Sequence, residues 1–137
     1  MKNPPPTRPE SNARGDLHLD CSRPFRSVPF LCSYRGKPEG VHGHSWQVIA
    51  TLETDELDSE GMGFDFVEVR QHLRELAARF DHGDVNSVPP FDVESPTTEN
   101  IARFFFDELA TRMPDSGLVS VTVWEGPDCS ATYRPGA

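Results

Sequence analysis

The sequence predicts an α+β domain: an antiparallel four-stranded sheet with two helices on one of its faces. Three observations carry that prediction. From His44 to Thr54 apolar and polar residues alternate, the period of a half-buried strand. Two later segments, opening near Asp65 and at Ser95-Pro96, repeat apolar residues at spacings of three and four, the period of an amphipathic helix. The elements follow in the order strand, strand, helix, helix, strand, strand, and such segregation suits helices laid on an antiparallel sheet.

Each element has its own signal. Residues 1–15, MKNPPPTRPESNARG, are proline-rich and almost free of large apolar side chains. Nothing there offsets the entropy of ordering, so a disordered tail is expected ahead of a single domain at 16–137. The first strand runs from Asp16 to about Val28, with Pro24 marking a bulge or a sheet edge. The polar loop SYRGKPEG leads into His42 and His44. In the second strand Trp46, Val48, Ala50 and Leu52 share one face, and Gln47, Ile49 and Thr51 the other. A turn-rich connection, DELDSEGMG, reaches the first helix, where Asp65 is the expected N-cap and Phe66, Val69, Leu73, Leu76 and Phe80 form one stripe. FDHGDVNSVPPFDVE reads as a loop. SPTTEN opens the second helix with Pro96 in its first turn, and Ile101, Phe105, Leu109 and Met113 form its buried stripe. LVSVTVWE and a short segment around SATY supply the last two strands. Phe104 and Phe106 fall off the stripe, more apolar surface than a small domain easily hides; self-association is the simple expectation, and looser core packing is the alternative.

Composition narrows the function. A formal net charge of −9 repels phosphate backbones, so nucleic acid is not the expected partner; a small molecule or another copy of the chain is. No apolar h-region follows the first lysine, and no apolar run is long enough to span a bilayer, so a cytoplasmic protein is expected. Cys21, Cys32 and Cys129 are odd in number and lack the spacing of a disulfide framework; each reads first as a small buried hydrophobe.

Three places could carry chemistry. His42 and His44 stand one residue apart where a strand begins, so both point to one face and can grip a metal ion together; the same spacing also suits a surface pair. Asp81 directly precedes His82, an arrangement that serves a proton relay and equally a helix-ending turn with Gly83 as the C-cap. Glu125 ends an apolar strand on the face of Val119, Val121 and Val123. There it is either solvated or aimed into a pocket, shaped to accept two parallel hydrogen bonds from an amino-pyrimidinone edge.

In order along the chain, HGHSW, GFDF, DHGDVN, SPTTEN and VWEGPDCSATYR resemble the 6-pyruvoyltetrahydropterin synthase and 6-carboxytetrahydropterin synthase family, from about Phe25 to Arg134. The resemblance implies the T-fold, in which sheets of three subunits join into a barrel, commonly as a dimer of trimers, with active sites between subunits. It implies His42 and His44 as zinc ligands, Asp81 and His82 as the catalytic relay, and Glu125 as the carboxylate that anchors a pterin ring. Thr97 and Thr98 match the segment lining that ring, and Asp65 matches an aspartate that opens the first helix in a structural role.

The chain departs from the pattern twice. The family's first zinc histidine, in a stretch like F-x-A-A-H-x-L, is matched by FRSVPFL, and Pro29 stands at that position. Proline offers no ligand atom, which leaves two protein donors where a catalytic zinc takes three. Cys32 is the nearest substitute and His18 a more distant one. The family's catalytic cysteine, expected just before His-Gly-His, is also missing; Glu39 stands there in EGVHGH. This resembles the family variant that forms 6-hydroxymethyl-dihydropterin, and a glutamate with a raised pKa can act as the base. The leading expectation is a lyase acting on the side chain of a 7,8-dihydroneopterin-triphosphate-like substrate by retro-aldol cleavage or elimination, with Arg35 and Lys37 as cations for the triphosphate. Two alternatives share the fold: a zinc-independent acid/base cyclase or isomerase of specialised metabolism run by Asp81, His82 and Glu39, and a non-catalytic subunit that keeps the pterin anchor.

Overall fold

The computed structural model describes residues 17–27, 44–81 and 83–136, and of residues 17–19, 22–27 and 44 the backbone alone. Four strands, β1 (Leu17–Ser27), β2 (His44–Thr54), β3 (Leu118–Glu125) and β4 (Cys129–Tyr133), form one antiparallel sheet in sequence order. Two helices, α1 (Phe66–Ala78) and α2 (Thr98–Arg112), stand between the second and third strands in the chain. The fold is the predicted α+β arrangement.

The strands form where alternation gives the sheet one apolar face. Val48, Ala50 and Leu52 of β2 are fully buried with Val121 and Val123 of β3, and the helices cover this face with Val69, Leu73, Leu76, Ile101, Phe105 and Leu109. Cys21 joins the same core; burial pushes its thiol pKa up, with Arg70 pulling the other way. Pro24 sits on an edge strand, the part of a sheet that best tolerates a residue without an N–H. The register from Leu17↔Thr54 to Ser27↔His44 is unbroken, so the edge reading holds and the bulge reading does not.

The bulge lies elsewhere. Thr51 pairs with Ser120 and Leu52 with Leu118, leaving Val119 as the extra residue of β3. Leu118, and not Val119, therefore packs against the core, which corrects the expected single face of Val119, Val121, Val123 and Glu125.

The helix starts follow from side chains that satisfy otherwise orphaned N–H groups. Asp65 caps α1 by accepting from Val67 N at 2.9 Å, the structural role expected of it. Thr97 caps α2 by accepting from Asn100 N at 3.1 Å, which puts Pro96 one residue outside the helix and not in its first turn. Phe66 proves exposed, at 44%: it is the first helical residue and overhangs the core, where Phe64 packs instead.

The helices are antiparallel. Arg112 Nη1 meets Glu75 Oε2 at 2.6 Å and Arg79 approaches Glu108 at 3.9 Å, so residue numbers rise along one helix as they fall along the other. Glu75 also accepts from Gln71, and these two hydrogen bonds, Gln71 first and then Arg112, hold its carboxyl below the ordinary range.

Phe104 and Phe106 do not form the exposed apolar surface expected of them. Phe104 makes edge contacts with Phe80, Phe91 and Phe105, and Phe106 packs on Tyr133 with ring centroids 5.3 Å apart. Phe91 and Val85 come from the segment read as a plain loop, which contains a 3-10 turn at Val85–Ser87 and is packed into the core. The aromatic residues of that segment and of α2 thus cover each other.

Candidate functional site

One end of the sheet holds Glu125 and Thr98, two of the candidate residues that the structure describes. Glu125 is the last residue of β3, half-buried, and pairs across the ladder with Trp46 of β2 and Cys129 of β4. Residues opposite one another in an antiparallel pair share a face, so Glu125 lies on the helix side of the sheet, where Trp46 is buried. Thr98, the first residue of α2, donates from Oγ1 to Glu125 Oε2 at 2.9 Å. A carboxylate is thereby fixed beneath a helix start with an aromatic ring on one side.

The two threonines divide their roles. Thr97 spends its hydroxyl on the cap, and Thr98 reaches the carboxylate. The turn after Glu125 is pinned as well: Gly126, at φ 68°, donates its N–H to Ser45 O at 3.0 Å. That bond ties the end of β3 to the start of β2, where His44 opens the strand opposite Ser27. His44 is two residues from Trp46, so its backbone lies about 7 Å along the strand from the level of Glu125.

Asp81 follows α1, half-buried, with its N–H bonded to Ala77 O at 3.0 Å. Gly83 is not the left-handed C-cap of a helix-ending turn. The cap is Arg79 in right-handed conformation, Gly83 is absent from the glycines with positive φ, and its N–H donates to Phe80 O. Because α1 runs antiparallel to α2, its Asp81 end is carried toward the start of α2 and hence toward Thr98. Glu39, His42, His82, Cys32 and Pro29, with the loop cations Arg35 and Lys37, lie outside the described residues, as do the side chains of His18 and His44. Among the described residues no three His, Cys, Asp or Glu side chains cluster as a metal site.

Sequence reasoning missed Trp46 and Cys129 as neighbours of Glu125. Alternation had placed Trp46 on the core face, but only the register shows that it stands beside this carboxylate. Cys129, expected to be buried, is exposed on the short edge strand.

The chain is matched over residues 19–136 by the model of the family described as 6-pyruvoyl tetrahydropterin synthase. It is 32% identical to the 6-carboxy-5,6,7,8-tetrahydropterin synthase of Aquifex aeolicus over 119 residues, covering 69% of this chain and 74% of that protein. Among solved structures, the Caenorhabditis elegans 6-pyruvoyl tetrahydropterin synthase superposes with a TM-score of 0.80 at 20% identity, over 89% of this chain and 97% of that one. The Plasmodium vivax 6-pyruvoyltetrahydropterin synthase, solved with a glutamate catalytic residue replaced by alanine, gives 0.70 at 18% identity, over 90% and 99%.

Proposed function

The chain belongs to the 6-pyruvoyl tetrahydropterin synthase family, and from that premise we propose that it is a pterin-family lyase acting on the side chain of a 7,8-dihydroneopterin-triphosphate-like substrate. The observation that carries the reading is the Glu125 carboxylate, held by Thr98 at the start of α2 and flanked by Trp46. An amino-pyrimidinone presents two parallel N–H donors on one edge, and a fixed carboxylate accepts both. The hydrogen bond from Thr98 sets the carboxylate's orientation before the ligand arrives, so less order is lost on binding.

Proton movement falls to Glu39 and to the Asp81–His82 pair. Retro-aldol cleavage needs a base to take a side-chain hydroxyl proton as the carbon–carbon bond breaks, and an acid to return one to the carbon left behind. The catalytic glutamate of the Plasmodium vivax relative supports Glu39 as that base. Asp81 would accept from the His82 imidazole and raise its basicity.

The donor set does not complete a catalytic zinc site. His42 and His44 offer two imidazoles, Pro29 offers nothing, and no step above passes through a metal. Cys32 is the proposed third ligand if zinc is held at all. Active sites between subunits of a trimer or hexamer, in a cytoplasmic protein, complete the reading. Its alternative, a zinc-independent acid/base cyclase or isomerase, uses the same three proton-moving residues on a different side chain.

The test is turnover of 7,8-dihydroneopterin triphosphate, with products identified by mass spectrometry, in parent and Glu125→Gln protein. Glutamine replaces one acceptor oxygen by a donor, so pterin binding should weaken by about 1–3 kcal/mol. Equal pterin binding by the two proteins, or none by the parent, overturns the assignment.

A further inference from the structure

Glu125 is the last residue of β3, yet a further hydrogen bond to β2 comes from the residue beyond it. Gly126 donates its N–H to Ser45 O at 3.0 Å, continuing the register in which Glu125 stands opposite Trp46. Antiparallel ladders alternate between hydrogen-bonded and non-hydrogen-bonded pairs. The bond between Gly126 and Ser45 therefore makes Trp46 and Glu125 a non-hydrogen-bonded pair, the kind in which opposite side chains stand closest. In this inner strand the backbone groups of Glu125 then point the other way, toward Cys129 of β4. The carboxylate is thus held at two points. Thr98 Oγ1 meets its head at 2.9 Å, and the Gly126 bond fixes the backbone at its root.

The hold at the root depends on a particular backbone conformation. Gly126 has φ 68°, in the left-handed region. Only three residues, Gly126, Pro127 and Asp128, separate Glu125 from its β4 partner Cys129. Within them the chain must give one more N–H to β2 and reverse into β4, and the left-handed residue allows both. Space is not what glycine supplies here: a Cβ on Gly126 would meet nothing within 4 Å among the described residues. It supplies the conformation.

We infer that Gly126 is a positioning residue of the pterin site: its left-handed backbone completes the tie to Ser45 and so aims the Glu125 carboxylate at the ring. The inference rests on the reading of Glu125 as the ring's anchor. A carboxylate accepts two parallel N–H donors in one plane, so turning its root misplaces both bonds together. Fixing that root before the ligand arrives also lowers the order lost on binding.

Substitutions at two glycines separate positioning from general strain. Gly61 is also left-handed, at φ 82°, with nothing within 4 Å of an added Cβ, and it lies in the connection that leaves the other end of β2. Valine is strained in this region, whereas asparagine, of similar bulk, adopts it. Neopterin binding, read by its fluorescence, and melting temperature are measured for each variant. Gly126→Val should weaken binding roughly tenfold, the loss expected of one charge-assisted hydrogen bond. Gly126→Asn should bind within about twofold of the parent, because it keeps the backbone. Gly61→Val should lower the melting temperature and leave binding unchanged. Parent-like binding by Gly126→Val overturns the inference, and so does an equal loss in Gly126→Asn or in Gly61→Val; all three leave the pterin reading standing. No binding by the parent overturns that reading and this inference with it.

Discussion

Thr97 and Thr98 are adjacent and chemically identical, yet one caps a helix and the other holds a carboxylate 27 residues away. That a helix opens near these threonines was legible in the sequence, although Pro96 and not Thr97 was expected at its start. The Glu125 contact was not, since it depends on how α2 meets the sheet; only the family resemblance pointed to Thr98. The division of labour makes the two separable. Thr98→Val removes the hydroxyl, keeps the shape and leaves the Thr97 cap intact. Calorimetry should show pterin affinity lower by about 1 kcal/mol with the melting temperature nearly unchanged. A variant that binds as the parent does would show that the carboxylate needs no positioning. Asp81, by contrast, gains nothing from sequence logic about turns: the expected glycine cap beside it is not there, because Arg79 already closes α1.

Among the elements, helix and strand limits were readable where one period ran unbroken, as in β2 and α1. Errors arose where an element's phase or edge is set by its neighbours. Phe66 fits the α1 stripe by spacing but stands above the core, and Val119 fits the β3 alternation but is displaced by the bulge. The contact between the helices has its own signature in pH. Glu75 is held below the ordinary carboxylate range by Gln71 and Arg112. A lowered folded pKa means that the ionised group stabilises fully above its unfolded value, and that this contribution is lost as pH falls through the folded value. Glu75→Gln should therefore melt below the parent at neutral pH, and the gap should close in acid below the carboxylate range. Thermal scans from pH 7 to pH 2 test this; a gap independent of pH would mean that the pair acts by packing alone.

For the whole molecule, the order of elements was enough to give the fold class, because segregated helices leave few ways to cover one face of a sheet. The strand register was not available, nor was the concentration of acid at the end of the sheet opposite Glu125, which gathers three separate segments. Phe104 and Phe106 no longer argue for self-association, since the domain covers them itself. Assembly now rests on the family resemblance and on β1 and β4, the two edge strands of the sheet. Light scattering at micromolar concentration should give a mass of three or six chains, and a stable monomer would remove the shared-site reading. Metal content is the other whole-molecule measurement. Protein purified without a histidine tag should carry little zinc after mild chelation, with activity retained and then abolished by His82→Ala. Tight zinc that disappears in Cys32→Ala would instead make Cys32 the third ligand.

The extra residue at Val119 has a consequence for how this chain can change over time. Elsewhere in β2 and β3, losing one residue reverses every side chain beyond the gap and turns the core outward. At Val119 alone the ladder already carries a surplus, and its loss would leave Leu118 and Val121 facing inward as before. The interior of the sheet thus contains one position where length is negotiable, close to the acidic end and far from Glu125. Lineages of this chain can shorten there without disturbing either.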